Sequence, residues 1–164
     1  MVTRTLAYAW AAPNTALGAL LGLVMLCLGG RVRWQSGTAE FSGGVVGRLI
    51  DGLPAPWRFS AITFGHVILG ISESTLAAVR PHERVHVRQY ERWGPLFLPA
   101  YLLSSAWQAA CGRCAYRDNV FEREAFAVDC LPPPRYRIDL ARRHAQVVPA
   151  ESARPLPGAD RPYR

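Results

Sequence analysis

His82, Glu83 and His86 stand in the order His-Glu-x-x-His, the densest cluster of reactive side chains in the chain. On an α-helix turning about 100° per residue, the two histidines fall about 40° apart and one turn above each other, so both imidazoles can reach one ion. Gln89 and Trp93 fall on the same face, whereas Arg84, Arg88 and Glu91 fall roughly opposite, where a solvated or partner-facing surface would be. Glu83 lies about 100° round from His82, beside the histidine pair, where a carboxylate can take a proton from a metal-bound water. Catalytic zinc takes three protein ligands and keeps a fourth position for water, so one more ligand has to come from elsewhere. The downstream candidates are Glu122, Glu124, Asp118, Asp129 and His144, of which His144 lies in a tail unsuited to a site.

The other polar residues near this chemistry each have two readings. Glu122 completes a His₂Glu set if its helix presents it to the histidines. Asn119-Val120-Phe121-Glu122 also has capping-box spacing, in which Glu122 would bond back to the Asn119 amide and Glu124 would be the reserve ligand. Gln89 is a helix-surface residue or a hydrogen-bond partner of the site. Tyr101 and Tyr116 are core tyrosines or donors to a developing oxyanion. His66, on an apolar strand before the motif, is a satisfied core histidine or a contact to substrate or to the ligand residues.

Around these residues the chain divides into three parts. Residues 1–30 form an apolar segment. Pro13-Asn14-Thr15 reads as a helix start with Asn14 or Thr15 as cap, and residues 17–28 are almost wholly apolar up to Gly29-Gly30. A helix of about 14 residues is about 21 Å long, short of the ~30 Å hydrocarbon core, and reaches a spanning length only by including Pro13 and Asn14. No small-residue cleavage site follows it. A buried core helix, a membrane-inserted helix and an uncleaved anchor all fit, and the apolarity favours membrane association.

Residues 31–131 are expected to hold the core. Residues 31–44 read as a β-hairpin turning at Ser36-Gly37, 49–57 as a connection, and 61–70 as one strand leading to the motif helix. Residues 75–81 are a loop or the first turns of that helix. Gly94-Pro95 ends it, residues 96–110 form a helix apolar nearly all round, and residues 119–127 start a helix with an acidic first turn. In residues 132–164 proline and arginine accumulate without apolar periodicity, so this tail is expected to be largely disordered.

Composition narrows the function. Half of the residues are hydrophobic and only 19% are charged, which is apolar for a soluble domain of this size. The net charge is +7 and all 19 basic residues are arginine, a bias that points to a GC-rich genome. The arginines are scattered, with seven in residues 131–164, and no zinc-finger, RRM-like or basic-helix pattern accompanies them, so nucleic acid is not an expected partner. The four cysteines give no disulfide framework. Cys111-Gly112-Arg113-Cys114 lacks a second pair, so its members are expected to be small buried residues, with a redox pair as the alternative.

The HExxH helix followed by Glu122-Arg123-Glu124-Ala125-Phe126 resembles gluzincin-type metallopeptidases, in which a second helix carries a ligand glutamate. It is similar to the Glu-x-x-Ala-Asp segment of membrane-associated zinc peptidases that include the prenyl-protein proteases and the antibiotic-sensor peptidases. Phe126 replaces the final acid of that pattern, which would otherwise support a zinc-bound histidine. More closely, Gly65-His66-Val67-Ile68, the stretch 82–101 and residues 118–125 resemble a family of small bacterial proteins of unassigned function that read as minimal zincins, over roughly residues 10–130. The resemblance implies an α+β, minimal zincin-like domain: a short antiparallel sheet, the HExxH helix, a following apolar helix, a ligand-bearing helix and the N-terminal apolar helix. It implies zinc held by His82, His86 and Glu122, Glu83 as general base, and a peptide or protein substrate. If the first apolar run spans a membrane, Arg31 and Arg33 after it, against Arg4 before it, place the core on the cytoplasmic side, and a cytoplasmic protein is the alternative. The alternatives are a non-catalytic zinc-binding membrane-associated structural or interaction module, and an apolar membrane adaptor in which HExxH is a coincidence.

Overall fold

Strand alternation and two docked helices build the scaffold. The computed structural model describes residues 2–54 and 59–129. Its elements are α1 (Val2–Cys27), β1 (Gly30–Gln35), β2 (Thr38–Gly43), α2 (Gly44–Asp51), β3 (Ala61–Phe64), β4 (Val67–Gly70), α3 (Glu73–Trp93), a 3₁₀ turn (Gly94–Leu96), α4 (Phe97–Ala110) and α5 (Val120–Asp129). The architecture is α+β with one four-stranded sheet in the order β1-β2-β4-β3. The expectations for residues 132–164, including His144, lie outside the described residues.

The sheet is mixed, not antiparallel as expected. β1–β2 and β3–β4 are antiparallel hairpins, but β2 and β4 run parallel, with Phe41 opposite Leu69. A parallel pair needs a crossover, and α2 with the segment after it supplies one. Residues 61–70 are therefore two strands, because Gly65, at φ +58°, and His66 turn the chain back on itself.

Period-two alternation gives the sheet two apolar faces. Ala39, Phe41, Val67 and Leu69 face α1 and cluster with Met25. Ile68 faces the other way and packs with Leu76 and Val87 of α3. Glu40 shares that side and holds Arg80 of α3 through two hydrogen bonds of 2.8 and 2.9 Å, Arg Nε and Nη2 donating to its two carboxylate oxygens. A third cluster, Ala11, Tyr90, Phe97 and Phe121, joins α1, α3, α4 and α5.

α1 is a 26-residue helix that runs through Pro13, where a helix start was expected. Asn14 is no cap. Its buried amide donates to the Gly94 carbonyl at 3.0 Å, and the Thr15 hydroxyl donates to Ala11 O. Such docking offsets the ~3 kcal/mol that an interior proline costs a helix. The buried positions Ala11, Asn14, Gly18, Gly22 and Met25 form one narrow stripe. A Cβ on Gly18 would come within 2.8 Å of Phe64 and Val67, and one on Gly22 within 2.6 Å of the Phe41 ring. The Gly-x-x-x-Gly spacing is thus used to seat the helix on the sheet.

α3 starts at Ser72, whose hydroxyl accepts the Thr75 amide at 3.1 Å, so residues 75–81 are its first turns. Gly94 ends it at φ +54°. We expect Gly22→Val to destabilise the fold by about 1–3 kcal/mol, because the Phe41 ring has to move. Leu20→Ala on the exposed face of α1 should stay within about 0.5 kcal/mol of the parent. Denaturant unfolding of the two variants checks this, and equal midpoints would contradict the seating of α1.

Candidate metal centre

Because α3 is regular through the motif, His82 and His86 meet one turn apart, their Nε2 atoms 3.2 Å from each other. α5 brings in Glu122, with Oε2 at 3.2 Å from His82 Nε2 and Oε1 at 3.4 Å from His86 Nε2. The three residues are buried, and one ligand atom from each lies within 4.8 Å of the others, so the group could hold a metal ion. Glu122 does not form the capping box. Asn119 caps α5 alone, its Oδ1 accepting the Phe121 amide at 3.0 Å, and this frees Glu122 to turn to the histidines.

Gln89 sets the protonation pattern. It is 1% exposed, and its Nε2 donates to Phe121 O at 3.0 Å and to Glu124 Oε2 at 2.9 Å. Those two acceptors fix the amide orientation, so the Gln89 Oε1 that faces His86 Nδ1 at 2.8 Å can only accept. His86 Nδ1 therefore carries the proton, and in the neutral ring Nε2 is a bare lone pair aimed at His82 and Glu122. Glu124, the reserve ligand of the sequence reading, is instead the acceptor that orients Gln89.

The charges fit a cation between these groups. Burial favours neutral His86, but hydrogen bonding to Glu122 and the negative charges of Glu83 and Glu122 outweigh it and raise the pKa to about 9. Burial pushes the Glu122 carboxyl up, yet hydrogen bonds from His82, His86 and Tyr101 and the His86 charge bring it down to about 2. In the metal-free chain a proton on His86 thus does what a bound cation would do. The donor set, two imidazoles and a carboxylate, suits zinc among other divalent ions.

Glu83 lines the same cleft, a space of about 190 Å³ bordered by Thr63, Phe97, Leu98, Tyr101 and Tyr116 beside the three candidate ligands. Burial raises its pKa, against the pull of the His86 charge, the Thr63 hydrogen bond and the His82 charge. Thr63 Oγ1 donates to Glu83 Oε2 at 2.7 Å. Sequence reasoning missed Thr63. It pairs with Ile68 and so shares the face turned to α3, which the alternation along residues 61–64 could have revealed.

Tyr101 donates its hydroxyl to Glu122 Oε1 at 2.7 Å, so it holds the carboxylate, while Tyr116 borders the cleft. The Phe126 ring lies 4.9 Å from the His82 ring, packing where the resembled pattern carries an acid. His66 is not in the cleft lining. It sits buried in the β3–β4 turn, stacked on Tyr8 at 3.8 Å with Nε2 3.1 Å from Glu91, which is the satisfied core histidine of its two readings. Cys111 and Cys114 are exposed free thiols in the turn after α4 rather than small buried residues.

Comparison with known protein families, with curated proteins and with solved structures finds no match to this chain.

Two outcomes are expected. Because a metal must displace the His86 proton, zinc affinity should rise with pH up to about 9 and level off above it. Calorimetry near neutral pH should show about one proton released per zinc bound, and a pH-independent affinity would contradict the assignment. For the metal-free chain the sign is opposite. The raised His86 pKa stabilises it below about pH 6.5, and that contribution is lost as pH rises through about 9. Second, Gln89→Ala should weaken zinc binding by about 10–100-fold, read by competition with a chromogenic chelator, and unchanged affinity would remove Gln89 from the site.

Proposed function

We propose that this chain is a small zinc-dependent hydrolase, a metallopeptidase, in which His82, His86 and Glu122 hold zinc and Glu83 is the general base. The observation that carries the reading is Glu83 itself, a buried carboxylate fixed by Thr63 in the cleft that the three candidate ligands share. A non-catalytic metal site has no need of a second carboxylate placed beside the ligands and kept off the ion. Among the described residues, three side chains form the ligand group, which leaves a position for water, whereas structural zinc sites close with four.

Zinc, when bound, polarises a substrate carbonyl and acidifies water next to it. Glu83 takes the proton from the attacking water and delivers it to the leaving nitrogen. Burial raises its pKa, which makes it a stronger proton acceptor than a solvated carboxylate. Tyr101 and Gln89 act through the ligands, holding Glu122 and His86 in place. The preference for a peptide rests on β3. It is an edge strand of the sheet among the described residues, and residues 61–64 border the cleft, so an extended chain can pair with it.

The protein in this reading is membrane-associated with its core on the cytoplasmic side. The support is the apolar run Thr5–Cys27, long and apolar enough by length and composition to enter a membrane, followed by Arg31 and Arg33, whose charge suits the anionic cytoplasmic leaflet.

Glu83→Gln should retain about one zinc per chain and lose at least about 10²–10⁴-fold in turnover of a fluorogenic peptide pool. Parent-like turnover, or loss of zinc from the variant, would contradict the base assignment. His86→Ala should lose both metal and turnover, and zinc at parent stoichiometry in that variant would remove His86 from the ligand set.

A further inference from the structure

We infer that α1 lies in the plane of a lipid bilayer rather than across it, and that the exposed apolar face of α4 contacts lipid as well. The inference deepens the membrane association proposed above and is independent of the peptidase reading.

On α1 the inward stripe from Ala11 to Met25 covers an arc of about 80°, and the rest of the helix faces outward. No residue from Thr5 to Leu28 is charged. The outward face carries large apolar side chains, with Leu6 63%, Leu20 60% and Leu23 55% exposed. Helix α4 repeats the pattern. Phe97 and Gln108 are buried, while Leu102, Leu103 and Trp107 stand 59%, 71% and 65% exposed, and α4 too is free of charge. Isolated apolar residues on a surface need no explanation, but two long uncharged helix faces exceed what a soluble monomer shows. The occupant we assign is lipid, for two reasons. Arginines flank the apolar runs, Arg4 just before the uncharged run of α1, Arg31 and Arg33 after it, and Arg113 after α4, a sign complementary to anionic headgroups. Exposed Trp10 and Trp107 add the amphipathic rings that settle at a membrane interface.

A spanning placement conflicts with what α1 touches. Along its length it is bound to polar parts of the domain. Tyr8 donates to Gly37 O, Asn14 donates to Gly94 O, and Thr15 accepts the His66 amide. His66 in turn stands 3.1 Å from Glu91. Were α1 to cross the bilayer, this pair and the hairpin turn would sit at hydrocarbon depth beside mid-helix, at a cost of several kcal/mol. Lying in the plane, the helix immerses only its outward face and leaves the sheet and α3 in water.

The test uses the full chain without zinc, so that it reads neither metal nor catalysis. Wild type should float with vesicles of phosphatidylglycerol and phosphatidylcholine. A Leu20→Asp, Leu103→Asp double variant should lose partitioning by at least about tenfold, with an unchanged circular dichroism spectrum and unfolding midpoint as proof of its fold. Topology is read with a membrane-impermeant maleimide on sealed vesicles, using Cys27 or an introduced Thr5→Cys as the sole cysteine. Both helix ends should label from the outside. Protection of one end, equal flotation of the double variant, or wild type left in the aqueous fraction would overturn the inference. So would a lipid-free dimer that the double variant converts to monomer, since the faces would then be a protein interface.

Discussion

The buried amide of Gln89 is the interaction on which the candidate centre depends. A side chain with one acceptor and two donors bridges α3 and α5. Its oxygen accepts the His86 Nδ1–H on one side, and its amide N–H groups donate to Phe121 O and Glu124 on the other. Leaving any of these buried groups unpaired would cost about 1–3 kcal/mol, so the bridge locks both the tautomer of His86 and the register of α5. Glu122 follows from that register. It sits one residue beyond the carbonyl that Gln89 holds, and Tyr101 fixes its second degree of freedom.

The sheet does for Glu83 what Gln89 does for the ligands. Glu40 and Arg80 tie α3 to β2, the Ile68–Leu76–Val87 cluster presses it onto β4, and Thr63 on the edge strand reaches the carboxylate. The candidate ligands and Glu83, the proposed base, are thus held by different partners, on either side of one helix. In the proposed reading a change that frees Glu83 need not disturb the metal, so substitutions at Thr63 and at Gln89 should affect turnover and metal binding separately.

Much of the site was legible because it is local. Two histidines and a glutamate within five positions, and Gln89 one turn on, have their mutual geometry set by helix periodicity alone. Glu122 against Glu124 was not decided by spacing, because the choice depends on whether Asn119 caps α5 by itself. The first hairpin was readable from Ser36-Gly37 and its alternation, whereas the parallel pairing of β2 with β4 is a long-range event with no local mark. The tertiary term also overrode local signals in α1. Pro13 and Asn14 look like a helix start, but Asn14 finds its partner 80 positions away, at Gly94. His66 was read as part of a continuous strand because Gly65 alone signals the turn that carries it to α1. Cys111 and Cys114 are small and apolar enough to suggest burial, yet they sit in a turn beyond the end of the packed helix.

The central claim is that the histidine pair and Glu122 hold zinc. X-ray absorption at the zinc edge on purified protein, with its metal content measured on the same sample, tests this most directly. The account predicts about one zinc per chain surrounded by nitrogen and oxygen alone. A chain purified without metal and unable to take up zinc, or a zinc bound through sulfur and so assigned to the cysteines, would contradict it.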